Sequence, residues 1–142
     1  ATPVSPPPEA APLLRGISVL VVDDDPSALD FAKSSLEQHG AVVMTAGSVQ
    51  EARERFARQP PDVLLSDLRM PGEDGIQLIR EVRKLDSQRG TRTPAAALTA
   101  LARTEDRRRA LTAGYQMHVA KPIDPFELAV TVEQLAHGEV AS

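Results

Sequence analysis

Residues 61–75 read Pro61-Asp62-Val63-Leu64-Leu65-Ser66-Asp67-Leu68-Arg69-Met70-Pro71-Gly72-Glu73-Asp74-Gly75, and the fold follows from how this stretch begins and stops. Val63, Leu64 and Leu65 form a short apolar run of the kind required by a strand buried on both faces. The run closes on an acid, Asp67, and Met70-Pro71-Gly72 with the later Gly75 break regular structure beyond it. Asp67 is therefore expected at the C-terminal end of a strand, opening a loop that solvent can reach. In an open α/β sheet ligands bind in the crevice outside that edge, so the acid is a site candidate.

The same pattern repeats on both sides. Ile17 to Val22 is an apolar run that ends in Asp23-Asp24-Asp25, with Pro26 at a first helical position and Leu29, Ala32 and Leu36 at helical spacing up to Gly40. Ala41 to Ala46 predicts a second strand. Ser48 and Glu51 predict a capping box for a helix that turns Val49, Ala52 and Phe56 inward and stops at Pro60-Pro61. After the central stretch a helix is expected from about Gly75 to Leu85, with the polar segment Asp86 to Arg92 returning the chain. Pro94 to Leu98 is a small-residue strand ending at Thr99, followed by a helix capped by Thr104 and closed by Gly114. Tyr115 to Ala120 predicts the fifth strand, ending at Lys121-Pro122, and Asp124-Pro125-Phe126-Glu127 starts the last helix. Five strands alternating with five helices imply an α/β fold with a parallel sheet covered on both faces.

A chain of 142 residues that is 42% hydrophobic suits one domain with a real core. Residues 1–14 open with a Pro-rich run that reads as a linker or tail, 15–138 as the folded domain, and 139–142 as a C-terminal tail. The net charge of −4 argues against a general nucleic-acid surface. The absence of cysteine excludes disulfides and thiolate metal sites, and no apolar run reaches membrane-spanning length. A cytoplasmic location is the expectation, and the missing initiator methionine fits processing or a piece of a longer polypeptide.

Polar residues fall at the same place in four elements: Asp23, Asp24 and Asp25, then Asp67, Thr99 and Lys121. In a parallel sheet these ends share one edge. Carboxylates crowded there repel by on the order of a few kcal/mol per close pair at an effective dielectric of about 20, unless a cation joins them. Mg²⁺ suits such a need with oxygen ligands. Asp67 is then placed to act as a nucleophile toward phosphorus, with Lys121 neutralising the transferring group and the Thr99 hydroxyl donating to a phosphate oxygen. No residue at this edge reads as a general base for hydrolysis, so the phosphoryl group is expected to be held.

The acid pair after the first strand, the run Ser66 to Gly75, Leu98-Thr99-Ala100 and Ala120-Lys121-Pro122 together resemble a response-regulator receiver domain over about residues 16–137. The resemblance implies a flavodoxin-like, doubly wound sheet in the order 2-1-3-4-5. It implies Asp67 as phosphoacceptor, Asp24 as a direct ligand of Mg²⁺ (or Mn²⁺) with Asp23 acting through water, Asp67 and the backbone carbonyl of Arg69 completing the set, and Thr99 and Lys121 as phosphoryl contacts. Ala100 would leave the group access, and Arg69 and Leu101 would flank the route of attacking water and set phosphoryl lifetime. Such a domain is no stand-alone enzyme, although it catalyses its own phosphorylation and slow autodephosphorylation. Its donor would be a histidine kinase or a histidine phosphotransfer domain, with no nucleic acid and no direct membrane contact, and a homodimer formed on phosphorylation stays open. The output would be a repacked surface of the fourth helix, fifth strand and fifth helix.

Gly114-Tyr115-Gln116-Met117-His118-Val119-Ala120-Lys121-Pro122-Ile123-Asp124 and the Pro-rich start resemble receiver domains fused to hybrid sensor histidine kinases. Where many family members carry Tyr or Phe as a rotameric switch, three residues before the lysine, this chain has His118, an imidazole able to titrate near neutrality. Two rivals stand beside this reading. One is a docking module on the same fold that ignores phosphorylation. The other is an aspartyl phosphohydrolase, disfavoured because Arg69 stands where a second acid would be needed.

Overall fold

The computed structural model describes residues 13–68, 74–100, 104–121 and 124–138. Five strands, β1 (Ser18–Val22), β2 (Val42–Ala46), β3 (Val63–Asp67), β4 (Ala95–Thr99) and β5 (Met117–Ala120), alternate with five helices. The helices are α1 (Pro26–Glu37), α2 (Val49–Arg58), α3 (Gly75–Arg89), α4 (Thr104–Ala113) and α5 (Pro125–Ala136). The strands form one parallel sheet in the order β2-β1-β3-β4-β5, as expected.

Strand alternation divides the core between the two faces. Leu20, Val22, Leu64, Ala95 and Ala97 pack with Phe56, Leu78, Ile79 and Val82 from α2 and α3. Val19, Val21, Val63, Leu65, Ala96 and Leu98 pack on the other face with Leu36, Leu128, Val132 and Leu135 from α1 and α5. Leu14 is fully buried in this second layer, and its N–H donates to His39 O at 2.8 Å.

Several local expectations are corrected. Ser48 caps α2 by accepting from Glu51 N at 3.1 Å, but the Glu51 carboxylate accepts from Gly47 N instead of completing the box. The full reciprocal capping box belongs to α3, where Asp74 accepts from Gln77 N and Gln77 Oε1 accepts from Asp74 N. Thr104 is the first residue of α4, and the position before it lies outside the described residues. Strand β5 starts at Met117, leaving Tyr115 in the turn after α4.

Helix α3 continues to Arg89, past the expected end at Leu85, because Asp86 is part of a buried network. Its carboxylate accepts from Thr93 N, Thr93 Oγ1 and Thr91 Oγ1, each at 2.9 Å, and from Arg83 Nη1 at 2.8 Å. Arg83 spreads its guanidinium over Gly114 O, Thr93 O and Gln116 Oε1 as well. All five guanidinium N–H groups thus have a described acceptor. Burial pushes the Asp86 carboxyl up, but the hydrogen bonds from Thr93, Thr91 and Arg83 overcome it and hold the pKa below the usual aspartate value. That contribution to stability is complete above the ordinary carboxylate pKa and is lost as pH falls through the depressed native value. Arg83→Met should cost about 3 kcal/mol, since it strands a buried carboxylate and two main-chain carbonyls. Urea unfolding of both proteins measures this; a loss below about 1 kcal/mol would show that the network contributes little.

Candidate functional site

The polar residues that end the strands meet at the C-terminal edge of the sheet. β1 and β3 are neighbours, so Asp23 and Asp24, just beyond Val22, come beside Asp67 at the end of β3. Carboxylate oxygens of Asp23, Asp24 and Asp67 all lie within 4.8 Å of one another. Asp23 is buried, Asp67 half-buried and Asp24 exposed. Asp25 stands apart from this cluster: it caps α1 through Ser27 N at 3.0 Å, while its own N–H donates to Asp23 Oδ1 at 3.0 Å. The triple acid therefore divides into two cluster members and a cap that orients one of them.

Lys121 reaches in from the end of β5. Its ammonium donates to Asp23 Oδ2 at 2.6 Å and to Asp67 Oδ2 at 3.3 Å. Partial burial disfavours its charge, but the bond to Asp23 and the charges of Asp67 and Asp23 overcome that and raise its pKa above the ordinary lysine value. The main chain holds it as well, since Lys121 N donates to Thr99 O at 2.7 Å. Thr99 is buried at the end of β4, adjacent to Ala120 in register, and Ala100 beside it is exposed. Arg69 and Leu101 lie outside the described residues.

At neutral pH three carboxylates against one ammonium leave two negative charges in a small volume. Oxygen-only donors with that residual charge fit Mg²⁺ or Mn²⁺, and they would not hold a soft metal. Asp23, Asp24 and Asp67 are the residues that would bind it. A cleft of about 390 Å³ opens beside the cluster between α1 and α5, with Phe31, Ala32, Leu98 and Leu128 on its walls and Asp23 and Lys121 at its rim.

His118 lies on β5 in register with Ala97, on the face toward α3 and α4, whereas Met117 and Val119 pack on the opposite layer. Its Nε2 is buried without a hydrogen-bond partner among the described residues. Burial first, and then the Arg107 charge on α4, depress its pKa below the usual histidine value, against the opposing pull of Asp106. Thr99 is on the same face, one residue pair farther along.

Sequence reasoning missed two supports of the site. One is the α3 capping box, whose Asp74-to-Gln77 spacing was visible. The other is Tyr115, whose hydroxyl donates to Gly75 O at 2.7 Å. No local pattern connects residues forty apart in the chain.

A doubly wound sheet with an acid cluster and a lysine at its carboxyl edge places a candidate site where open α/β sheets bind their ligands. Residues 19–133 match the family described as the response regulator receiver domain. The chain is 45% identical over 121 residues to an uncharacterised 14.6 kDa protein of Leptolyngbya boryana, covering 85% of this chain and 91% of that one. It is 36% identical over 126 residues to the sensor histidine kinase GacS of Pseudomonas protegens, covering 88% of this chain and only 14% of the kinase. The solved structure of the Vibrio cholerae chemotaxis protein CheY4 superposes with a TM-score of 0.78 at 28% identity, covering 84% of this chain and 98% of that one. The chain belongs to the response regulator receiver domain family of two-component signalling. No helix among the described residues is long and apolar enough to cross a membrane.

Proposed function

We propose that Asp67 accepts a phosphoryl group from a phosphohistidine on a histidine kinase or a histidine phosphotransfer domain. The clustering of Asp23, Asp24 and Asp67, with Lys121 bonded to Asp23 and Asp67, is the observation that carries this reading. A carboxylate oxygen of Asp67 attacks phosphorus in line with the departing imidazole. The P–O bond forms as the P–N bond breaks, and the imidazole leaves with the electron pair and takes up a proton. Asp23, Asp24 and Asp67 are the residues that would hold a divalent ion, which when bound would neutralise charge on the transferring group. Lys121 pairs with a phosphoryl oxygen, and Thr99, drawn toward the new dianion, donates to another. The cleft beside Phe31 gives the donor domain an apolar foothold next to the acids.

The test is incubation with a small phosphodonor, with and without Mg²⁺, read by intact mass. A single addition that needs Mg²⁺ and is cleaved by hydroxylamine, as an acyl phosphate is, supports the reading. No addition to the folded chain would favour a docking module that ignores phosphorylation.

Displacement of Thr99 transmits the modification to the surface of α4, β5 and α5 through His118, which lies under α4. The folded state favours neutral imidazole, so its stability contribution is full above the unfolded histidine pKa. The contribution declines as pH drops below that value and is gone once the depressed native pKa is passed. Between about pH 7 and 5 the wild type should therefore lose stability that His118→Phe retains. Denaturant unfolding across this range checks it, and parallel pH profiles for the two proteins would remove His118 from the account.

A further inference from the structure

Tyr115 is the only tyrosine of the chain and is 3% exposed. Its ring belongs to the core layer formed with α2 and α3, and its hydroxyl donates to Gly75 O, the first carbonyl of α3. Burial, against a smaller pull from the Ser66 hydroxyl, raises its pKa, so the group remains a fixed donor throughout the physiological range. Gly75 sits hard against the phosphoacceptor backbone. A Cβ there would collide with Asp67 O and lie 3.1 Å from both Leu68 Cα and the Tyr115 hydroxyl. Gly75 N also donates to Leu68 O at 3.1 Å, and Ser66 Oγ donates to Asp67 O at 2.9 Å. The Asp67–Leu68 peptide and the Tyr115 hydroxyl therefore both close around the Cβ side of Gly75, and Tyr115 also holds its carbonyl.

The residue before Tyr115 is tied to the same helix. Gly114 O accepts from both Arg83 Nε and Nη2. The turn between α4 and β5 is thus attached to α3 at its middle and at its N-terminus. Neither attachment touches a carboxylate of the acid cluster.

We propose that Tyr115 is a positioning residue for the phosphoacceptor: through Gly75 its hydroxyl fixes the Asp67–Leu68 main chain and thereby aims the Asp67 carboxylate at Asp23, Asp24 and Lys121. This rests on the reading of the acid cluster given above and adds to it a residue from the turn between α4 and β5. The hydroxyl does not contact phosphoryl or metal. It acts by holding Gly75 against the Asp67–Leu68 peptide, which a phenyl ring of the same shape does not do.

The experiment compares Tyr115→Phe with wild type in the full chain by two readouts. In the metal-free protein, amide hydrogen exchange at Leu68 and Gly75 should accelerate. In direct Mn²⁺ titration, affinity should fall about three- to tenfold, below the ~10–100-fold typical of residues that contact a ligand. Phosphorylation at saturating metal should keep most of its rate. Val132→Ala, in the core layer on the far face of the sheet, controls for lost stability and should leave Mn²⁺ affinity unchanged. Unchanged exchange or Mn²⁺ affinity in Tyr115→Phe would overturn the proposal, as would equal weakening by Val132→Ala. Failure of the wild type to bind Mn²⁺ would overturn the acid-cluster reading itself, and the positioning role with it. Metal binding without phosphate uptake would refute only the phosphoacceptor chemistry.

Discussion

Asp67→Asn is expected to take up no phosphate from a small donor in the presence of Mg²⁺, while remaining folded. The amide keeps the shape of the carboxylate but lacks its charge and its nucleophilic oxygen, so no acyl phosphate forms. Stability should change little because opposing terms nearly cancel. The substitution removes repulsion from Asp23 and Asp24, within 4.8 Å, and also removes attraction to Lys121 at 3.3 Å. Lys121 keeps its shorter bond to Asp23 at 2.6 Å. A net change within about 1 kcal/mol follows. Intact mass and urea unfolding measure the two quantities together; undiminished labelling of the folded variant would place the acceptor elsewhere.

Lys121→Ala should slow phosphorylation by about 10²–10³-fold, the usual cost of removing a fixed charge from a developing anion. It should also destabilise the metal-free protein by about 3 kcal/mol, because buried Asp23 loses its cation. Mg²⁺ should rescue that loss, since the cluster left without an ammonium binds a divalent ion more tightly and binding to the native state alone adds stability. The gain in melting temperature on adding Mg²⁺ is therefore expected to be larger in the variant than in wild type. Equal gains would mean that Lys121 does not neutralise the cluster.

The strands and the site edge were legible because both depend on short-range pattern. A parallel strand buried on both faces must read as an apolar run, and a polar residue that ends it must fall at the sheet edge, as Asp67, Thr99 and Lys121 do. Adjacency of β1 and β3 then brings Asp23 to Asp67. The supports of the site were not legible, because they join distant residues. Asp86 looked like part of a solvated return, and only its contacts with Thr91, Thr93 and Arg83 show why a carboxylate is buried there. Tyr115 looked like the first residue of a strand, although its hydroxyl reaches Gly75. Lys121 could be placed at the edge from sequence, but its closer approach to Asp23 than to Asp67 depends on side-chain geometry alone.

The burial of Leu14 has a consequence for how the domain works when it is linked to other modules. Leu14 is fastened beside His39, after the end of α1, and shares a core layer with Leu135 near the end of α5. Each helix runs back from the carboxyl edge of the sheet, so both places lie at the pole opposite Asp67. A module joined on either side would leave the pole that carries Asp67 facing outward. A donor histidine on the same polypeptide would then meet Asp67 at an effective concentration set by tether length and stiffness, and changing the tether would alter the encounter rate without altering the site.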